Sequence, residues 1–147
     1  MAQALHWFDI KAFGREAIRV LKPAGILAAW TYKRLSVTPE VDQVIDRLEQ
    51  EEIAPYWPEE RKMVEDGYRT VRMPMKEQQV PTWKMEAQWD LTQLMGYLDT
   101  WSAVKEYRRL QGKDPVAGIA QEMEQAWGDP DKTRLVKWPF VVRVWQK

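Results

Sequence analysis

The sequence predicts an α/β protein with a mostly helical middle, and three observations carry this prediction. Apolar residues recur at helical spacing after Asp9, until the segment KPAG at residues 22–25 ends the helix. The run ILAAWTY at residues 26–32 follows directly and has the continuous apolar character of a strand buried on both faces of a parallel sheet. Residues 133–147 mix alternation with an apolar stretch, which predicts a closing strand. A helix that leads into a buried strand is the second half of a βαβ unit.

The first half of the chain has clear signals for the ends of its helices. Asp9 is expected to cap the first helix, because its carboxylate can accept from free N–H groups of the first turn. Thr38 is expected to cap a second helix, with Pro39 at its first position. Two prolines within residues 54–61 end that helix. Residues 67–75 then predict a short strand.

The second half predicts a strand, two helices and the closing strand. Residues 81–90 alternate apolar and polar side chains, as a half-buried strand does. Residues 91–111 share one apolar face and predict a single helix that Gly112 ends. Residues 115–127 predict a further helix, which the segment GDP stops.

The composition of the 147 residues excludes several classes of function. Lys+Arg and Asp+Glu both total 22, and zero net charge provides no electrostatic footprint for nucleic acid or an acidic membrane. Cysteine is absent, which excludes disulfides and thiolate chemistry, and the single histidine, His6, cannot build a multi-histidine metal site. No metal is expected. The chain lacks an apolar run of membrane-spanning length and a signal-peptide pattern, so a cytoplasmic location is expected.

Several segments together resemble one family of enzymes. AQALHWFD (residues 2–9), RVLKPAG (19–25) and ILAAWTY (26–32) resemble the second half of the class I S-adenosylmethionine-dependent methyltransferase fold. The later segments resemble the subgroup related to trans-aconitate methyltransferase, also called methyltransferase type 11. They are APYWPEER, EDGYRTV, LMGYLDTWSAVKEYR and VVRVW. The resemblance covers essentially the whole chain.

The resemblance implies the C-terminal half of a Rossmann-like fold, with a small mixed sheet in the strand order 5-7-6, helices and a helical insert. Residues 1–34 would be the remnant of the Rossmann-like core, residues 35–80 the helical insert, and residues 81–147 the strands and helices that complete the sheet, all in one structural domain. The family holds its cofactor with a glycine-rich turn. The seven glycines of this sequence form no such motif, so we expect a truncated family member that lacks the N-terminal cofactor-binding half.

The resemblance also assigns candidate site residues. The loop after the family's fourth strand passes beside the cofactor, and here that loop contributes four candidate cofactor-binding residues: Gln3, Ala4, His6 and Trp7. Aromatic side chains suit a cationic sulfonium. Alternatively, Trp7 packs beneath the following helix and His6 is a local hydrogen-bonding residue. Four aromatic residues are the candidate substrate-binding residues: Trp30, Tyr32, Tyr97 and Trp101. Alternatively, Trp30 and Tyr32 pack against the helical insert. Tyr97 and Trp101 lie one helical turn apart, and such a stripe is more often core than pocket. No catalytic residue is predicted.

The resulting expectation is a protein of the S-adenosylmethionine-dependent methyltransferase family that transfers a methyl group to a small-molecule acceptor and is inactive alone. The alternative is a non-catalytic module, derived from a methyltransferase, for oligomerisation or partner binding. A lipid or small-acid binder without cofactor is a third interpretation. If only the last three strands are present, one edge of the strand at residues 26–32 lacks its neighbour. This predicts a homodimer, or pairing with a separate N-terminal half.

Overall fold

The computed structural model describes all 147 residues and divides them into two compact units. The first unit contains Met1–Arg34, Glu59–Met85 and Trp138–Lys147, and the second contains Leu35–Pro58 and Glu86–Lys137. None of the helices has the length and apolarity that a membrane span requires. The helices are α1 (Ile10–Val20), α2 (Pro39–Arg47), α3 (Arg61–Glu65), α4 (Leu91–Asp99), α5 (Ser102–Gln111), α6 (Pro115–Gly118) and α7 (Ala120–Trp127). The strands are β1 (Ile26–Tyr32), β2 (Lys76–Gln78), β3 (Lys84–Trp89) and β4 (Arg134–Gln146).

The sheet has the order β1-β4-β2, and β3 also pairs with β4. The last strand of the chain therefore lies between β1 and β2, as the predicted order 5-7-6 requires. β4 is antiparallel to both neighbours, with Trp30 opposite Val142 and Glu77 opposite Trp145. An isolated parallel bridge also joins Ala2 to Trp30, outside the named strands. The predicted α/β fold of Rossmann-like type is confirmed.

The burial of β1 differs from the prediction. Ala29 and Thr31 are buried, whereas Trp30 between them is exposed and Ile26 is 51% exposed. This alternation is that of a strand with one buried face. The prediction of a strand buried on both faces of a parallel sheet was wrong, because the neighbour along its whole length is antiparallel β4.

α1 begins and packs as its sequence predicts. The Asp9 carboxylate accepts a hydrogen bond from the Ala12 N–H at 2.9 Å, which confirms the predicted cap. Gly14 lies directly against Pro74. A Cβ at this position would lie 2.7 Å from the Pro74 ring. The core cluster of this unit consists of Leu5, Ala29, Val64, Tyr68, Val71, Met73 and Trp145.

Residues 67–75 do not form the predicted strand. Gly67 and Tyr68 adopt left-handed backbone conformations, with φ of 64° and 59°, and extended pairing cannot pass through them. Pro74 has no N–H to donate to a sheet. The strand in this region is β2, which begins only at Lys76.

The two long helices predicted in the second half are each interrupted. Residues 91–111 form α4 and α5, because Trp101 is extended with ψ of 135° and the Thr100 hydroxyl donates to the Tyr97 carbonyl at 2.6 Å. The hydroxyl thus competes for a carbonyl of the last turn. Gly112 ends α5 as predicted, and it adopts a left-handed conformation with φ of 65°. Residues 115–127 likewise form α6 and α7, with the interruption at Ile119.

The second unit is built on the apolar faces of these helices. The Thr38 side chain caps α2 by accepting from the Val41 N–H, as predicted. The α2 helix continues into a π-helical turn over Leu48–Glu52. The fully or nearly fully buried side chains include Val41, Ile45, Leu48, Ile53, Leu94, Leu98, Val104, Met123 and Trp127.

Candidate functional site

The loop before α1 is attached to the carboxyl-terminal part of β1. The Trp30 N–H donates to the Met1 carbonyl at 3.0 Å, and the Gln3 N–H donates to the Trp30 carbonyl at 2.9 Å. The Met1 amino group donates to the Ala28 carbonyl at 2.8 Å. These bonds place the loop at the end of β1 where ligands bind in open α/β sheets.

The Gln3 side chain continues this attachment. Its Oε1 accepts from the Thr31 hydroxyl at 2.6 Å and from the Tyr32 N–H at 3.0 Å. Gln3 itself has a left-handed backbone with φ of 44°, a conformation that few residues other than glycine adopt. The amide is therefore engaged by the protein, and Gln3 holds the loop in place.

His6 is buried and contacts a residue far away in the sequence. Its Nδ1 lies 3.1 Å from the hydroxyl of Tyr68, which is itself fully buried. The two rings are stacked, with centroids 6.3 Å apart. Burial lowers the pKa of His6, and the negative charge of Glu60 opposes that effect. Burial raises the pKa of Tyr68, although hydrogen bonds with the Thr31 side chain and with the backbone of Leu5 and His6 oppose it. Both side chains are therefore uncharged at neutral pH.

Trp7 is the exposed member of the loop. Its side chain is 58% exposed, so it is not packed beneath the following helix as the alternative interpretation held. The indole lies beside the His6 imidazole, with ring centroids 4.7 Å apart. The Ala4 carbonyl accepts from the Trp7 N–H at 3.1 Å and closes the short 3-10 turn Leu5–Trp7. The indole is thus an exposed aromatic side chain beside a buried histidine.

Trp30 and Tyr32 share the second face of β1. Side chains alternate along a strand, so both lie opposite the buried Ala29 and Thr31. Trp30 is 36% exposed and Tyr32 is half-buried. The structure therefore brings together Gln3, Trp30 and Tyr32, two of which were predicted for substrate and one for cofactor.

Tyr97 and Trp101 belong to an aromatic cluster in the second unit. The Tyr97 ring is 5.3 Å from the Trp89 ring and 6.2 Å from the Trp101 ring, and Trp101 is 5.6 Å from Trp57. Trp101 is only 9% exposed and occupies the interruption between α4 and α5. Tyr97 is half-buried. Of the two, Tyr97 is better placed to contact a ligand, and Trp101 packs as a core residue.

Sequence reasoning missed three residues of these groups. Tyr68 lies in the segment EDGYRTV, which carried the resemblance, but its hydroxyl received no role. The preceding Gly67 is only a weak signal of the left-handed turn in which Tyr68 lies. Trp57 and Trp89 are the other two. Trp57 lies in the segment APYWPEER, which also carried the resemblance, and Trp89 lies in the alternating residues 81–90. The cofactor and substrate assignments themselves remain predictions.

Two comparisons show which known proteins the chain resembles. A solved structure from Anaeromyxobacter dehalogenans, described as a putative type II methyltransferase, matches the chain with a TM-score of 0.89 and 45% identity. The match covers 99% of this chain and 62% of that chain. The chain is therefore similar over nearly its whole length to part of a protein described as a methyltransferase, and its fold is Rossmann-like.

The second relative is a protein of Dictyostelium discoideum named as a putative methyltransferase. It is 27% identical over 134 residues, which are 89% of this chain and 51% of that protein. This chain spans about half the length of that curated relative. No family model matches the sequence.

Proposed function

We propose that this chain is the part of an S-adenosylmethionine-dependent methyltransferase that carries the loop beside the methyl donor and one wall of the acceptor site. The 45% identity to a methyltransferase structure over 99% of the chain is the observation that supports this most strongly. We further propose that transfer requires a glycine-rich segment, which these 147 residues do not contain. The chain alone would then be inactive.

The residues of the loop fit the proposed cofactor. S-adenosylmethionine supplies an electrophilic methyl group on a cationic sulfur. The exposed side chain of Trp7 suits a cation. Gln3 and His6 hold the loop from within, since their polar atoms bond to β1 and Tyr68. This division of roles refines the proposed cofactor set of Gln3, Ala4, His6 and Trp7.

A small-molecule acceptor is proposed on the basis of the aromatic side chains. In the first unit, Trp30 and Tyr32 offer an apolar wall at the same end of β1 as the loop. In the second unit, Tyr97 offers a half-buried ring among other aromatics. The resemblance to the trans-aconitate methyltransferase subgroup favours small carboxylic acids as the first acceptors to assay.

A chimera tests this proposal. In it, these 147 residues replace the matching 62% of the Anaeromyxobacter dehalogenans protein, and release of S-adenosylhomocysteine is measured with a panel of small carboxylic acids. We expect turnover in the chimera, and Trp7→Ala to lower kcat/KM by about tenfold through the lost cation contact. Trp83→Ala is the matched control, because Trp83 is also exposed, at 54%. A folded chimera without turnover, or equal effects of both variants, would contradict the proposal.

The alternative function, a module for oligomerisation or partner binding, has one observation in its favour. β1 is an edge strand, and Met1–Gln3 covers its free edge only toward Trp30. At the other end Ile26 is 51% exposed, so a second copy or a separate N-terminal half could add a strand there. Light scattering at low micromolar concentration tests this, with a dimer expected and a stable monomer counting against self-association.

A further inference from the structure

Tyr68 occupies a position that packing alone does not explain. Its side chain is fully buried, yet its backbone has φ of 59°, directly after Gly67 with φ of 64°. A bulky residue is a true outlier in this region, and such outliers concentrate where the surrounding structure and function require them. A phenylalanine would fill the same space, so the hydroxyl needs its own account.

The Tyr68 hydroxyl is the meeting point of two separate segments of the first unit. It lies 3.1 Å from Nδ1 of His6, in the loop before α1. It also bonds to Thr31 of β1 and faces the N–H groups of Leu5 and His6. Thr31 in turn donates to Gln3 at 2.6 Å. The Tyr68 hydroxyl oxygen is therefore linked directly to His6 and, through Thr31, to Gln3.

The direction of the bond to His6 follows from donor and acceptor chemistry. Each hydroxyl carries one hydrogen, and Thr31 uses its own to bond the Gln3 amide oxygen, so the bond between Tyr68 and Thr31 uses the hydrogen of Tyr68. The Tyr68 oxygen therefore accepts from His6, and the His6 proton resides on Nδ1. Arg143 Nη1 donates to the Tyr68 carbonyl and anchors the turn to β4.

We propose that Tyr68 is the positioning residue of the Gln3–Trp7 loop: its hydroxyl fixes the His6 imidazole and, through Thr31, the Gln3 amide. The His6 ring is the direct neighbour of the Trp7 indole, so this arrangement sets the direction in which Trp7 faces outward. The inference rests on the proposed function for the role of Trp7, but its test uses no methyl donor.

Nuclear magnetic resonance of the full chain tests the proposal. His6 is the only histidine, so long-range proton–nitrogen correlations report its tautomer without ambiguity. Incorporated 5-fluorotryptophan reports the surroundings of Trp7, whose signal is assigned by its loss in Trp7→Phe. In the wild type we expect a single tautomer with the proton on Nδ1. In Tyr68→Phe we expect a mixture of both tautomers and a shift of the Trp7 signal by more than its line width.

Tyr56→Phe is the matched control, because the Tyr56 hydroxyl also accepts a hydrogen bond, from Gln111 at 2.8 Å, but in the second unit. It should leave the His6 and Trp7 signals unchanged. A folded Tyr68→Phe with the wild-type tautomer and Trp7 signal would overturn the proposal. If Tyr68→Phe does not fold, Thr31→Val decides in its place: a changed Trp7 signal supports the positioning role, and an unchanged one overturns it. If the chimera shows no turnover while the resonance results are as expected, the methyltransferase proposal is wrong and the positioning role of Tyr68 still holds.

Discussion

At His6, burial favours the uncharged imidazole. The imidazole sits in the first unit with its Nδ1 against the Tyr68 hydroxyl, and desolvation lowers its pKa from the ordinary 6.5. The charge of Glu60 opposes this shift but is the smaller effect. A neutral His6 is therefore part of the folded loop, and protonation works against folding.

This makes stability depend on pH in a defined direction. Below the ordinary pKa of 6.5 the unfolded chain binds a proton at His6 that the folded chain resists. The contribution of the neutral His6 to the free energy of unfolding is fully present above that pH. It is lost as the pH falls toward the lowered pKa of the folded state. We expect the free energy of unfolding, measured with urea, to fall between pH 7 and pH 5.5 and to fall less in His6→Gln. Equal losses in both proteins would contradict this account.

The residue scale also shows what sequence patterns cannot predict. Trp7 and His6 were identified because they lie in a segment that resembles a known loop. The Tyr68 contact joins residues 62 positions apart, and no local pattern encodes it. Likewise, neighbouring aromatics in the sequence do not reveal that Trp101 is buried while Trp30 is exposed. Burial depends on which face the tertiary fold covers.

At the scale of elements, the sequence predicted where several helices begin and end, but it did not predict where two long helices are interrupted. The caps by Asp9 and Thr38 and the left-handed Gly112 all follow from local chemistry. The interruption at Trp101 was missed, because residues on both sides keep the same apolar periodicity. Periodicity reports which face is buried, whereas here the Thr100 hydroxyl and the extended backbone of Trp101 end the helix.

Two helical glycines provide a matched test of the packing of α1. A Cβ at Gly14 would lie 2.7 Å from the Pro74 ring, whereas a Cβ at Gly96 in α4 would meet nothing within 4 Å. We expect Gly14→Ala to lower the free energy of unfolding by about 1–3 kcal/mol, because a rigid ring must move. Gly96→Ala should raise it by up to about 1 kcal/mol through helix propensity alone. Chemical denaturation measures both, and stabilisation by Gly14→Ala would show that α1 is not packed as described.

At the scale of the whole molecule, the fold was predictable and the function only in outline. The strand order, with the last strand between β1 and β2, followed from the resemblance and is confirmed. The acceptor was not predictable, because the same fold serves many substrates and the aromatic side chains specify only an apolar contact. Methyl transfer is proposed through homology to proteins of which this chain spans 51% and 62%.

The central claim is that these residues carry the loop beside the methyl donor but lack the turn that binds its adenosine. Calorimetric titration with S-adenosylhomocysteine tests it most directly, with the Anaeromyxobacter dehalogenans protein as the matched control. We predict saturable binding to the control and none to this chain at micromolar ligand. Saturable micromolar binding to the isolated chain would contradict the account.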